Sequence, residues 1–184
     1  MGNRRLGRKR LYGIEKEGQA VDLGAGAGAL PMLASTTQHR LGQELITEII
    51  IDLGTSKGTI VDGTVRYPIG VASKAATLGQ LTVAKVGVVT EIRGVCLEVP
   101  AGGVADCDLE FGASSVNTNA DPSGTSIMTS LNAIGEDTST TYDANELADK
   151  YLYICNGAGG STATYTGGKF AIYIYGFAVP SDLV

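Results

Sequence analysis

The sequence predicts an all-β fold, an antiparallel two-sheet sandwich of jelly-roll or Greek-key type with an extended N-terminal arm. Three observations carry this. The chain has 26 glycines, three phenylalanines and no tryptophan, which implies many tight turns and a core of Val, Ile, Leu, Ala and Tyr. Runs rich in β-branched residues recur between turn signals. No amphipathic helix is long enough to cross over between parallel strands, so the pairing is antiparallel. At 184 residues the chain suits one body with appendages, since domains usually run to roughly 100–150 residues. Only 18% of residues are charged, low for a large free surface, and this points to surface covered by partners.

Taken in order, residues 1–43 show neither helical nor strand periodicity and read as a basic extended arm with a Gly/Ala-rich linker; the body occupies 44–184. The run Gly24–Ala29 reads as a hinge or a snug extended contact. It has no preceding buried strand, following helix or Gly-Lys-Ser/Thr ending, so a nucleotide loop lacks its context. The first strand is Glu44–Leu53, rich in β-branched residues and closed by Gly54. Further strands are expected at Thr59–Val65, Gln80–Lys85, Val88–Val99, Asp106–Phe111, Tyr151–Cys155 and Lys169–Val179. In the last, Phe170, Ile172 and Ile174 share one face while Tyr173 and Tyr175 share the other, the period-2 signature of a sheet packed on one side. Only Ala144–Lys150 reads as helical, for a turn or two.

Few residues carry the marks of chemistry. Ile49 to Val61 resembles the first phosphate hairpin of the actin and sugar-kinase ATPases, with Asp52 in the metal-contacting place. Those enzymes need a second hairpin, an adenosine site and two helix-rich domains, so a plain β-hairpin is the preferred reading. His39, the single histidine, sits in a polar stretch and reads as a surface or interface residue rather than a general base. Asp106 and Asp108 fall on one strand face and are expected to meet water rather than a cation. Cys96, Cys107 and Cys155 have no metal-ligand spacing and read as buried, inert thiols. A Cys96–Cys107 bridge is conceivable, but a reducing cytoplasm argues against it. We therefore expect no enzyme activity, no cofactor and no metal.

Charge is distributed unevenly. Arg4, Arg5, Arg8, Lys9 and Arg10 give the first ten residues +5 with no acid, leaving −10 on the rest of a chain whose net charge is −5. Five cations need an anionic counterpart. An arm with Tyr12 as its single aromatic offers little base stacking, and an anionic body repels nucleic acid, so docking of these residues on an acidic protein surface is the expected use. Leu11 to Glu15 breaks off where an apolar signal region would begin, and no apolar run reaches membrane-spanning length. A soluble protein made in a cytoplasm is expected.

The opening Met1-Gly2-Asn3-Arg4-Arg5-Leu6-Gly7-Arg8-Lys9-Arg10-Leu11-Tyr12, the segment Thr37-Gln38-His39-Arg40 and the closing Tyr165-Thr166-Gly167-Gly168-Lys169-Phe170-Ala171-Ile172-Tyr173-Ile174-Tyr175-Gly176 resemble virion structural proteins of marine tailed bacteriophages, the cyanophage type in particular. The resemblance implies a capsid decoration or cement protein assembled in the host cytoplasm, bound to the major capsid protein or other virion subunits. A homo-oligomer follows, for which a trimer at a local three-fold fits. The rival expectations are a neck, tail or fibre-attachment protein and a carbohydrate-binding adsorption module. The last is weakened by the missing tryptophan, for which Tyr173 and Tyr175 are poor substitutes.

Overall fold

The computed structural model describes residues 18–54, 59–60, 67–71, 74–103, 106–113, 125–129, 131–140, 144–157 and 163–179. Its strands are β1 (Gln19–Ala20), β2 (Leu33–Leu41), β3 (Glu44–Asp52), β4 (Thr59–Ile60), β5 (Gly79–Leu81), β6 (Val88–Ala101), β7 (Cys107–Gly112), β8 (Thr125–Met128), β9 (Gly135–Thr140), β10 (Lys150–Asn156), β11 (Ala163–Thr164) and β12 (Gly167–Phe177). A six-stranded sheet runs β1-β2-β3-β12-β6-β9, a four-stranded sheet runs β5-β10-β7-β8, and β11 pairs with β4. Every pair of strands is antiparallel, as expected for a two-sheet sandwich linked by short connections.

Alternation decides which side chains fill the space between the sheets. Thr47, Ile49 and Ile51 of β3 and Phe170, Ile172 and Ile174 of β12 are fully buried, and Leu109, Leu152 and Ile154 meet them from β7 and β10. Burial of each large apolar side chain stabilises the fold by about 1.5–3 kcal/mol. Thr47 is tolerated inside because its hydroxyl oxygen accepts from Gln38 Nε2 at 2.9 Å, and the same amide donates to the Lys85 carbonyl at 2.7 Å.

The body begins earlier than residue 44. β2 pairs with β3 along its length through a two-residue turn at Gly42-Gln43, where Gly42 takes φ +64, and Leu23, Ala29 and Met32 are core residues. The snug contact expected for Gly24–Ala29 is present. Gly26 N donates to Thr77 O at 2.8 Å and Gly28 N to Ala75 O at 2.6 Å, and a Cβ on Gly26 would stand 2.2 Å from the Ala75 carbonyl oxygen. Two backbones touch here, with no room for a side chain.

Two local expectations are corrected. Gln80–Lys85 is not one strand: β5 ends at Leu81 and Val83–Val86 form a helical turn, closed by Gly87 N donating to Val83 O at 2.9 Å. Leu81 and Val86 are buried while Val83 is exposed, so the run meets the core with a helical spacing at its second half. Nor do the strands flanking Gly54 form a hairpin with each other. β3 lies between β2 and β12, whereas β4 pairs with β11; Asp52 Oδ1 instead accepts from Gly54 N at 2.8 Å at the end of the strand. The helical turn expected near Ala144 is observed at Ala144–Leu147.

Candidate assembly face

The arm residues singled out by charge, Arg4, Arg5, Arg8, Lys9, Arg10 and Tyr12, lie outside the described residues. What the structure supplies is the surface beside the point where that segment joins the body. Gly18 sits against His39, such that a Cβ on Gly18 would lie 2.7 Å from His39 Nε2. Gln19 and Ala20 then pair with Gln38 and Thr37.

The side chains of the six-stranded sheet that point away from the core form transverse rows fixed by strand register. One row reads Thr37, Glu48, Tyr173 and Arg93; the next reads His39, Ile46, Tyr175 and Glu91. Above them lie Ile50, Ala171 and Val95, and below them Leu41, Glu44, Phe177 and Val88. Cross-strand neighbours on one face are close enough to interact directly.

They do so here. Thr37 Oγ1 donates to Glu48 Oε2 at 3.4 Å. Burial, together with a hydrogen bond to Glu48 and its negative charge, raises the Tyr173 phenol above its usual range. Arg93 Nη2 pairs with Glu91 Oε1 at 3.1 Å, and the Arg93 guanidinium carbon lies 5.4 Å from the Tyr175 ring centre. At the far end Lys169 Nζ pairs with Glu98 Oε2 at 2.6 Å. The hydrogen bond from Lys169 holds the Glu98 carboxyl below the ordinary glutamate range, and the same contact raises Lys169.

Two properties distinguish this face. It is anionic, with Glu44, Glu48, Asp52, Glu91 and Glu98 set against Arg93 and Lys169. It also carries apolar side chains in the open: Leu41 and Phe177 at one end are 62% and 49% exposed. Leu97 of β6, next to the residue that pairs with Gly135, is 49% exposed at the other. The sequence signal was present in β3, where Leu45-Thr47-Ile49-Ile51 and Ile46-Ile50 make both faces partly apolar. A strand with two apolar faces is normally covered on both.

Other expected site residues fall elsewhere. Asp108 is not solvated: it is 7% exposed, and Glu110 and Tyr153 on the same side of the four-stranded sheet are fully buried. The register sets Tyr153 opposite Glu110 and Cys155 opposite Asp108, and Ser126 Oγ donates to Glu110 Oε1 at 3.2 Å. Asp106 precedes this strand, its carbonyl accepting from Gly157 N at 2.6 Å. The three cysteines are buried thiols, none of them in a disulfide. Burial pushes the Cys107 thiol up to about 12, partly offset by a contact with the Tyr165 hydroxyl at 3.8 Å.

Among the described residues, no group of three or more His, Cys, Asp or Glu side chains is placed to hold a metal ion, and no helix is long and apolar enough to cross a membrane. A recess of about 10 Å³ beside Leu81, Val83, Val88 and Leu147 has room for about one water molecule and not for a small-molecule ligand. The fold and this face define an all-β two-sheet sandwich with an anionic, partly apolar sheet surface. No protein-family model matches the chain, and neither a curated protein nor a solved structure matches it at a significant level.

Proposed function

We propose that this chain is a structural subunit of a bacteriophage virion, a decoration or cement protein that binds the capsid shell through an oligomeric β body and a basic arm. The observation that carries the reading is the outward face of the six-stranded sheet. Exposed Leu41, Phe177 and Leu97 bracket rows of half-buried Tyr and Ile on it. Apolar groups gathered on one face rather than scattered singly are what subunit contacts require. Such a role asks for a rigid body and adhesive surfaces, and the resemblance of both chain ends to phage virion proteins points the same way. The partners on this reading are the major capsid protein and further copies of this chain.

Quantitative mass spectrometry of purified particles, combined with electron microscopy, tests the proposal. A copy number comparable to that of the shell protein is expected. A count of about a dozen, as for a ring at a vertex, would move the protein to the neck or tail. Absence from particles would overturn the virion reading. Removing residues 1–11 is expected to lower occupancy on the particle while leaving the thermal unfolding of the body unchanged.

A further inference from the structure

We infer that the outward face of the six-stranded sheet is the receptor for the basic N-terminal arm of a neighbouring copy of this chain. This deepens the assembly reading and rests on it for the biological setting, but it concerns contacts between copies of one purified protein.

Charge selects the occupant. The face carries five carboxylates, among them Glu44, Glu48 and Glu91, against Arg93 and Lys169, and the first ten residues carry +5. A second copy of the same face would bring acid against acid, and nucleic acid would be repelled for the same reason. The arm alternates its cations with Leu6, Leu11 and Tyr12, which suits a surface where carboxylates alternate with Ile46, Ile50 and two tyrosines.

Arg93 already exhibits the contact the arm would make. Its guanidinium pairs with Glu91 while lying over the Tyr175 ring, so the face offers both a carboxylate and an aromatic surface to one cation. An arginine fork exploits that combination better than a lysine.

Register selects a neighbour's arm over the chain's own. β1 pairs antiparallel with β2, Gln19 opposite Gln38, so the chain enters β1 from the Leu41 end of β2. Only Arg40 and Leu41 of β2 lie beyond His39 in that direction. The eight residues from Gly18 back to Arg10 reach about 26 Å when extended. That reach is long enough for the cations to meet the same face of a second copy set against this end of the sheet.

The test uses a fluorescent peptide of residues 1–12, titrated by anisotropy against the chain lacking residues 1–11, with sizing of the full-length chain by light scattering. Saturable binding is expected. It should weaken by about tenfold in E44K/E48Q, about 1.4 kcal/mol, and also on raising salt from about 50 to 300 mM. Glu146→Gln, which removes an exposed carboxylate outside the six-stranded sheet, is expected to retain binding, and the urea midpoint of E44K/E48Q controls for its folding. Full-length protein should associate with rising concentration, and excess peptide should dissociate it. No binding, or equal binding to the properly folded E44K/E48Q variant, overturns the inference. Peptide binding with a full-length chain that stays monomeric at every concentration also overturns it, because the arm would then occupy its own sheet. Particle copy number is untouched by any of these results, so this inference and the virion reading fail separately.

Discussion

The guanidinium carbon of Arg93 stands 5.4 Å from the centre of the Tyr175 ring, on the neighbouring strand, while its Nη2 reaches Glu91 two residues away on its own strand. Both contacts are partly open to solvent, Arg93 being 37% and Glu91 27% exposed at the side chain. An exposed cation–π contact is worth about 0.5–1 kcal/mol and an exposed ion pair less than about 1 kcal/mol. Arg93→Ala is therefore expected to lower unfolding stability by about 1 kcal/mol, read from the urea midpoint at unchanged slope. Arg93→Lys should lie between the two, keeping the charge and losing the planar fork.

Backbone contact at Gly26 makes a sharper prediction. A Cβ there meets the Ala75 carbonyl oxygen at 2.2 Å, whereas one on Gly42 meets nothing within 4 Å. Gly26→Ala should cost about 2–3 kcal/mol by overpacking. Gly42→Ala should cost only the left-handed backbone penalty of about 1 kcal/mol. Equal melting temperatures for the two variants would contradict the close approach of the Gly26 and Ala75 backbones.

Cys107 predicts an alkaline limb in the stability profile. Its thiol ionises near 9.0 when unperturbed and near 12 when buried in the fold. Between those values the unfolded chain has released a proton that the folded chain keeps. Stability is full below pH 9 and falls as pH rises toward 12, by about 1.4 kcal/mol per unit from this group. Burial also raises Cys96 and Tyr165, which steepens the limb. Cys107→Ala should flatten the pH 9–11 slope of the urea midpoint by one proton. In the wild-type fold at pH 8, Cys107 should not react with a thiol reagent until denaturant is added.

Glu98 and Lys169 predict a titration without a stability claim, because both groups are largely in solvent. The Glu98 carboxyl should titrate below the usual glutamate range in a carbon-detected NMR experiment, owing first to its hydrogen bond from Lys169. Whatever the pair contributes is present above the unfolded glutamate pKa and lost as pH falls through the folded one. In Lys169→Met the Glu98 titration should move up toward the ordinary value; an unmoved titration would assign the shift to the Gly168 amide instead.

The strands legible in the sequence were those whose own residues state a face. β3, β6 and β12 carry β-branched runs, and the split of β12 into Phe170, Ile172 and Ile174 inside and Tyr173 and Tyr175 outside is found as read. β2 was not legible, because Ser35, Thr36, Thr37 and Gln38 give it no apolar alternation. It is held by its ladder to β3 and by the Gln38 amide. β9, Gly135–Thr140, is similarly polar and is recruited by β6. The turn at Val83–Val86 was hidden because its valines have strand propensity, which tertiary packing overrides. Asp108 and Glu110 misled for the opposite reason, since carboxylates inside a strand are usually solvated. As for the outward face of the six-stranded sheet, its tyrosines were visible in sequence, but which acids stand beside them depends on register between strands far apart in the chain.

The sheet order has a consequence for how the protein is made. β12 is the last strand among the described residues, yet it lies between β3 and β6 in the middle of the larger sheet. A chain emerging from the ribosome can close the local β2–β3 hairpin early. β3 and β6 must then wait, each with an open hydrogen-bonding edge, until the strand that joins them has been synthesised. Assembly of the sheet therefore waits on its last strand and is dominated by contacts distant in sequence, which folds slowly relative to a hairpin and leaves incomplete chains open to mispairing with one another. A cell producing many copies at once must keep those unfinished edges apart until residue 177 is released.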